Sequence, residues 1–271
     1  MTEMNPNQRL IQISQLVAVL LCSGAIKMYY SAASVNDLVW ILAPTKVLVS
    51  LATGVGFTFE PYSGYMSSDH SFLIAALCSG VNFMITAFLM LAVARLWRFR
   101  GQIISWSFIP VSFALAYLTT IVANTVRISI ALYIRRADPE VIWLNPGELH
   151  RFEGIVVYFG FLLLLFVASE KFGPGAKPRS ARPLSLLRRS MLPLAIYYAT
   201  TIGVPLANGT FRRGPVAADF WLHSLFVLLT PLLLLFILTA MRFLKVQRAK
   251  PVSLDIRLIA ATDLQESTRQ I

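Results

Sequence analysis

The residues of this sequence best suited to chemistry are a thiol, a guanidinium and an imidazole, each in or beside a long apolar stretch. Cys78 stands in Leu77-Cys78-Ser79-Gly80-Val81-Asn82, Arg127 closes Ala123-Asn124-Thr125-Val126-Arg127, and His150 follows shortly after Asn145-Pro146. A thiol is a weak nucleophile until it loses its proton, and a nearby imidazole can accept that proton. The imidazolium so formed can protonate a departing amine. A permanently charged guanidinium can stabilise the oxyanion of a tetrahedral intermediate, or lower the thiol pKa. Together the three groups point to cysteine-based peptide-bond chemistry.

Each residue also has an ordinary reading. A cysteine in a membrane helix is usually a small packing residue, and the second cysteine, Cys22, keeps that reading. Arginines near helix ends often snorkel to the headgroups, but Arg127 is two turns inside its segment, which favours pairing or function. A histidine one turn into a helix is commonly an interfacial residue. Asn82 and Asn124 could orient a site by hydrogen bonding or act as glue between helices. His70 and His223 lack converging partners. No His/Cys/Asp/Glu cluster has metal-ligand spacing and no glycine-rich phosphate loop is present, so neither metal nor cofactor is expected.

The elements that must position these groups are membrane helices. Of 271 residues, 56% are hydrophobic and only 14% charged, and the mean hydropathy is +0.66. A soluble protein keeps about a quarter of its residues charged. The apolar residues fall in runs that can cross a ~30 Å hydrocarbon layer, which takes about 20 helical residues. Seven such segments are read at 11–30, 38–57, 72–94, 103–134, 146–168, 191–206 and 220–241. Pro44 and Lys46 make the second irregular, and whether it crosses fully is open. The fourth is too long for one span and contains Pro110, so a kink or a split is expected. The expected fold class is all-α, a polytopic transmembrane bundle of about seven to eight helices forming a single membrane domain over 1–271, with a catalytic core at about 44–168 and a cytoplasmic tail at 242–271.

A net charge of +11 and a pI near 10.1 could suggest nucleic acid, but placement argues otherwise. Arg95, Arg98 and Arg100, then Lys171 through Arg189, then Arg242 through Lys250 cluster at the ends of apolar runs. That is the positive-inside pattern, so the partner is the bilayer and nucleic acid is not expected. Loop 58–71 carries Glu60, Asp69 and no Lys or Arg, whereas loop 95–102 carries three Arg. Positive and non-positive loops alternate, which puts Glu60, Asp138 and Arg212 outside and the Arg95 loop and C-terminal tail inside.

On that topology Cys78 lies ~9 Å below the outer end of the third segment and Arg127 ~10 Å below that of the fourth. The fifth helix is expected to start with Asn145 as N-cap, Pro146 at its first position and Glu148 reaching back, which puts His150 ~6 Å in. Asn82 is expected one turn below Cys78 on the same face, and Asn124 on the face of Arg127.

In these motifs, and in their order and helical setting, the chain resembles the exosortase/archaeosortase family of membrane-embedded cysteine transpeptidases. The matching pieces are Cys78-Ser79-Gly80 with Val81-Asn82-Phe83, then Ala123-Asn124-Thr125-Val126-Arg127, then His150 opening the next apolar segment. The resemblance covers about 44–168, and the stretch from Gly64-Tyr65-Met66 to Phe83 resembles the K-type exosortases in particular. It implies Cys78 as nucleophile, His150 as proton-transfer partner and Arg127 as transition-state stabiliser. It further implies a bacterial inner-membrane enzyme that cuts exported proteins at a C-terminal signal made of a short motif, a membrane helix and a basic tail, then passes the acyl group to an envelope acceptor. Two rival readings stand beside it. One is a transporter or channel using Arg127 and His150 for anions or protons. The other is a scaffold in which the polar residues join helices.

Overall fold

The computed structural model describes residues 6–136, 146–172, 184–209 and 216–249. It is an all-α polytopic bundle carrying one small sheet. The helices are α1 (Pro6–Ala32), α2 (Val39–Thr53), α3 (Val81–Arg98), α4 (Phe108–Arg136), α5 (Pro146–Phe172), α6 (Leu184–Tyr198), α7 (Val204–Ala207) and α8 (Val216–Ala249). Six spans among the described residues are long and apolar enough to cross a membrane. The outward faces agree with a lipid environment: Leu21 is 68% exposed, Leu51 78% and Phe236 70%. Such rows of bare apolar side chains are an aggregation liability in water and the normal surface in hydrocarbon.

The chain divides into two compact units, residues 1–177 with 192–231, and residues 178–191 with 232–271. The first holds α1–α5 and every residue of the site described below. The second contains the start of α6 and the C-terminal half of α8, where the helix continues to Ala249, past the expected end of the last segment.

In the first unit α3 is the innermost helix. Phe88, Met84, Met90 and Ala87 are essentially inaccessible, and α1, α4 and α5 all pack against it. Two glutamines inside α1 have partners. Gln15, fully buried on α1, donates to the Ile104 carbonyl at 2.7 Å, and Gln12 donates to the carbonyls of Phe99 and Gln102 at 3.0 Å each. These bonds tie α1 to the α3–α4 connection at one end of the bundle.

Three sequence expectations change. The second segment becomes a 3-10 turn (Asn36–Leu38) and a 15-residue α2 that ends on Gly54 at φ +70. At 1.5 Å per residue, α2 is ~22 Å long, short of a full crossing. Pro44 sits inside it without ending it. The fourth segment is one unbroken 29-residue helix, not two. Pro110 is its third residue, where the missing N–H has no intrahelical acceptor to lose.

The third change matters most. Residues 72–80 were expected to be helical and 58–71 a plain loop, but an antiparallel sheet occupies the region, β1 (Phe57–Glu60), β2 (Gly64–Ser67) and β3 (Leu73–Ile74), in the order β1-β2-β3. Phe57 pairs with Ser67, Glu60 with Gly64, and Tyr65 with Ile74. Gly64 is required: its φ is +133 and a Cβ there would overlap the Ile74 carbonyl. Lys46 of α2, unexplained in the sequence, lies over the Tyr65 ring at 5.8 Å, joining α2 to the sheet. The apolar Leu73-Ile74 pair is therefore a strand edge and not the first turn of a span. A 3-10 turn, Ala76–Ser79, then leads into α3.

Candidate active site

Cys78 lies in that 3-10 turn, at the entrance to α3 and not within a helix. Gly80, at φ +73, turns the chain into α3, and its carbonyl accepts the Met84 N–H at 3.0 Å. A Cβ at Gly80 would sit 3.0 Å from the Thr120 methyl and 3.5 Å from the Asn124 carboxamide carbon. Only glycine combines that backbone conformation with such close approach to α4. The Cys78-Ser79-Gly80 triplet thus presses the thiol-bearing turn against α4. Cys78 is half-buried and is not disulfide-bonded.

From this turn a chain of hydrogen bonds runs to Arg127. Asn124, fully buried, donates from Nδ2 to the Cys78 carbonyl. Its Oδ1 accepts from the Tyr158 hydroxyl at 3.0 Å. The Tyr158 oxygen in turn accepts from Arg127 Nη1 at 3.3 Å. Every donor points the same way along the chain, so no proton is contested. The Tyr158 ring is stacked on Phe83 at 4.9 Å and 13°, and the Arg127 guanidinium lies 5.4 Å from its centroid. Gly154, one turn before Tyr158 on α5, makes room for the guanidinium: a Cβ there would come within 3.0 Å of Nε. Glu153, buried beside Gly154, adds a carboxylate to the same stretch of α5.

A cavity of about 270 Å³ opens beside this chain. Leu77, Gly80, Asn82 and Phe83 line it from the Cys78 turn and the start of α3. Arg127 lines it from α4, and Arg151, Gly154 and Tyr158 from α5. Tyr197, Thr201 and His223 close it. Cys78 falls between two lining residues without lining the cavity itself. Thr86 of α3 and Thr200 share a hydrogen bond of 2.9 Å, fixing the π-helical turn Ala199–Gly203 that carries Thr201.

Cys78, Asn124 and Arg127 are therefore brought into one connected group. Asn82 is not: its Oδ1 accepts from Lys27 Nζ of α1 at 2.7 Å. The expectation that it sits a turn below Cys78 fails because Cys78 precedes the helix. His150 belongs to α5, whose helix begins at Pro146 as expected, but its side chain lies outside the described residues, as do Asn145, Asp138 and Arg212. The sequence reading missed several lining residues, Tyr158 and His223 foremost among them. Tyr158 follows Gly154 by one helical turn, a spacing that links both to one face of α5. His223, set aside for want of partners, shares the cavity with Arg127 and Arg151; long-range packing brings it there, and no local pattern signals it. No metal-binding group of three His, Cys, Asp or Glu occurs among the described residues.

No model of a known protein family, curated protein or solved structure matches this chain. Fold and site define its class: a polytopic α-helical membrane protein in which a thiol-bearing turn is tied to a partly buried Asn–Tyr–Arg chain beside an internal cavity.

Proposed function

We propose that the protein is a membrane-embedded cysteine peptidase or transpeptidase of the exosortase type, with Cys78 as nucleophile, Arg127 as oxyanion stabiliser and His150 as acid and base. The observation that carries this reading is the hydrogen-bonded connection from Arg127 through Tyr158 and Asn124 to the Cys78 turn. A merely packed cysteine has no use for an arginine tied to its turn through two side chains, Tyr158 and Asn124. In the reaction the Cys78 thiolate attacks the scissile carbonyl carbon, after its proton passes to the imidazole. The C–N bond breaks, the amine leaves with the imidazole's proton, and an acyl thioester remains for water or an acceptor nucleophile.

Substrates of this reading are exported proteins anchored by a C-terminal motif, membrane helix and basic tail. Their helix docks against the bundle while the basic tail stays on the cytoplasmic side. The setting is a bacterial inner membrane, with the Cys78 end of α3 toward the outer face and the Arg95–Arg100 end inside. Charge placement supports that orientation, since the loop before Cys78 has no Lys or Arg and the loop after α3 has three Arg.

The test is processing of a tagged exported reporter bearing such a signal. Cys78→Ala is expected to abolish processing and Cys22→Ala to leave it intact. Normal processing by Cys78→Ala would overturn the reading. A second reading, an anion-handling transporter, draws on Arg127, Arg151 and His223 around one cavity. It expects anion uptake in reconstituted vesicles that survives Arg127→Lys, a change that keeps the charge and removes the planar donor fork.

A further inference from the structure

A second cavity, about 440 Å³, lies at the opposite end of α3. Its polar residues are Arg95 and Arg98 from the last turn of α3, Ser105 and Ser107 from the connection to α4, Ser112 of α4 and Ser169 of α5. Its walls are apolar, with Leu91, Phe108, Leu115 and Leu165 among them. Arg98 Nη1 donates to the Ser169 carbonyl of α5 at 3.3 Å, which holds that side chain across the cavity. Arg95 lies with its guanidinium 5.0 Å from the Phe99 ring centroid, and its buried Nε has no hydrogen-bond acceptor among the described residues. Two guanidinium groups lining an apolar-walled cavity offer charged donors that an anionic ligand would satisfy.

The surroundings say what kind of anion. Trp97 and Trp106 flank the connection between α3 and α4, 69% and 50% exposed, and the Arg100 guanidinium lies 5.5 Å from the Trp97 ring centroid. Exposed tryptophans beside arginines at the end of a span mark headgroup depth. Val111 and Leu115, lining residues on α4, are 57% and 44% exposed, so the cavity opens sideways toward the acyl chains. Basic pockets between helices with an apolar flank suit a phosphate headgroup with its chain attached. A free anion would use the polar end alone and leave the apolar walls empty.

We propose that this cavity is a binding site for an anionic glycerophospholipid, with the phosphate held by Arg95, Arg98, Ser105 and Ser107 and an acyl chain lying along α4 past Val111 and Leu115. The site is independent of the chemistry at Cys78. Its cargo is not a substrate tail, since a basic tail would be repelled by the two arginines.

The experiment uses the full chain in neutral detergent. Binding of phosphatidylglycerol, of phosphatidylcholine with the same acyl chains, and of inorganic phosphate is measured by native mass spectrometry and by shift of the thermal midpoint. Phosphatidylglycerol is expected to bind at least about tenfold more tightly than phosphatidylcholine, the size of one charge-assisted contact. Arg95→Gln is expected to reduce that preference to near unity. Leu115→Trp, a change at a half-exposed position that the fold should accept, is expected to weaken binding of both lipids. Equal binding of the two lipids, an undiminished preference in Arg95→Gln, or unchanged lipid binding in Leu115→Trp would each overturn the proposal. So would protection by inorganic phosphate equal to that by phosphatidylglycerol, which would mark a simple anion site.

Discussion

Each end of α3 lies beside a cavity lined by arginines, and the two are built in opposite ways. At the Cys78 end, Arg127 is held in a chain of side chains whose hydrogen bonds all run one way, Gly154 clears the space around it and Gly80 the space beside Asn124. At the other end, Arg95 and Arg98 face apolar walls and a few serines, and Arg98 donates to the Ser169 carbonyl of α5. The first arrangement fixes a guanidinium in position and direction, which a transition state rewards. The second offers charge at headgroup depth, where position matters less. Residue type alone does not separate these roles; the kind of group each arginine meets does.

That contrast can be broken by exchanging the same pair of residues at both ends. Arg127→Lys is expected to lower reporter processing by at least about 10², because the charge stays while the donor fork goes. Arg95→Lys is expected to leave processing intact. Equal effects would erase the distinction. A smaller effect is expected from Tyr158→Phe, which keeps the stack on Phe83 and removes the hydroxyl linking Asn124 to Arg127. Leaving those buried partners short costs about 1–3 kcal/mol of stability by chemical denaturation. A change under a few tenths would mean the hydroxyl chain carries no weight. Gly80→Ala should cost about 1–2 kcal/mol from the left-handed backbone, with more from the Thr120 contact. The matching change at Gly24, where a Cβ would meet nothing within 4 Å, is expected to be near neutral.

The smallest effect lies in the sheet that carries the Cys78 turn. The Ser67 hydroxyl, and then the Ser71 N–H, hold the Asp69 carboxyl down to about 2. A depressed carboxylate stabilises the folded state above its ordinary value, near 3.9, and the contribution is lost as pH falls through the folded value. Hydrogen exchange across 57–74 is therefore expected to quicken as pH drops from about 4 to about 2, beyond the intrinsic change, in the native protein but not in Asp69→Asn. Identical profiles would remove Asp69 from the account.

Much of this was legible in the sequence because the bilayer simplifies the code. Long apolar runs bounded by arginines mark α1, α4, α5 and α8 without any tertiary knowledge. Asn124 and Arg127 stood out because polar groups inside a span need partners. The Cys78 region was misread for the same reason: Phe72-Leu73-Ile74 is as apolar as a helix start, and hydropathy cannot distinguish a strand edge from a helical turn. The glycines held the missing information. Gly54 and Gly80 bracket the non-helical stretch, Gly64 turns the chain within it, and all three adopt positive φ. Tyr158 and His223 were harder, since a tyrosine in an aromatic helix and a histidine in a leucine-rich one give no local sign of a shared cavity.

The central claim, that Cys78 is the reacting group of an Arg127 site, is tested most directly by titrating the native membranes with a water-soluble thiol-alkylating reagent. Reporter processing is then plotted against the fraction of Cys78 modified, read by peptide mapping. The account predicts that processing falls in proportion to Cys78 alkylation and reaches zero when it is complete, whether or not Cys22 is modified. Processing that persists with Cys78 fully alkylated would contradict it.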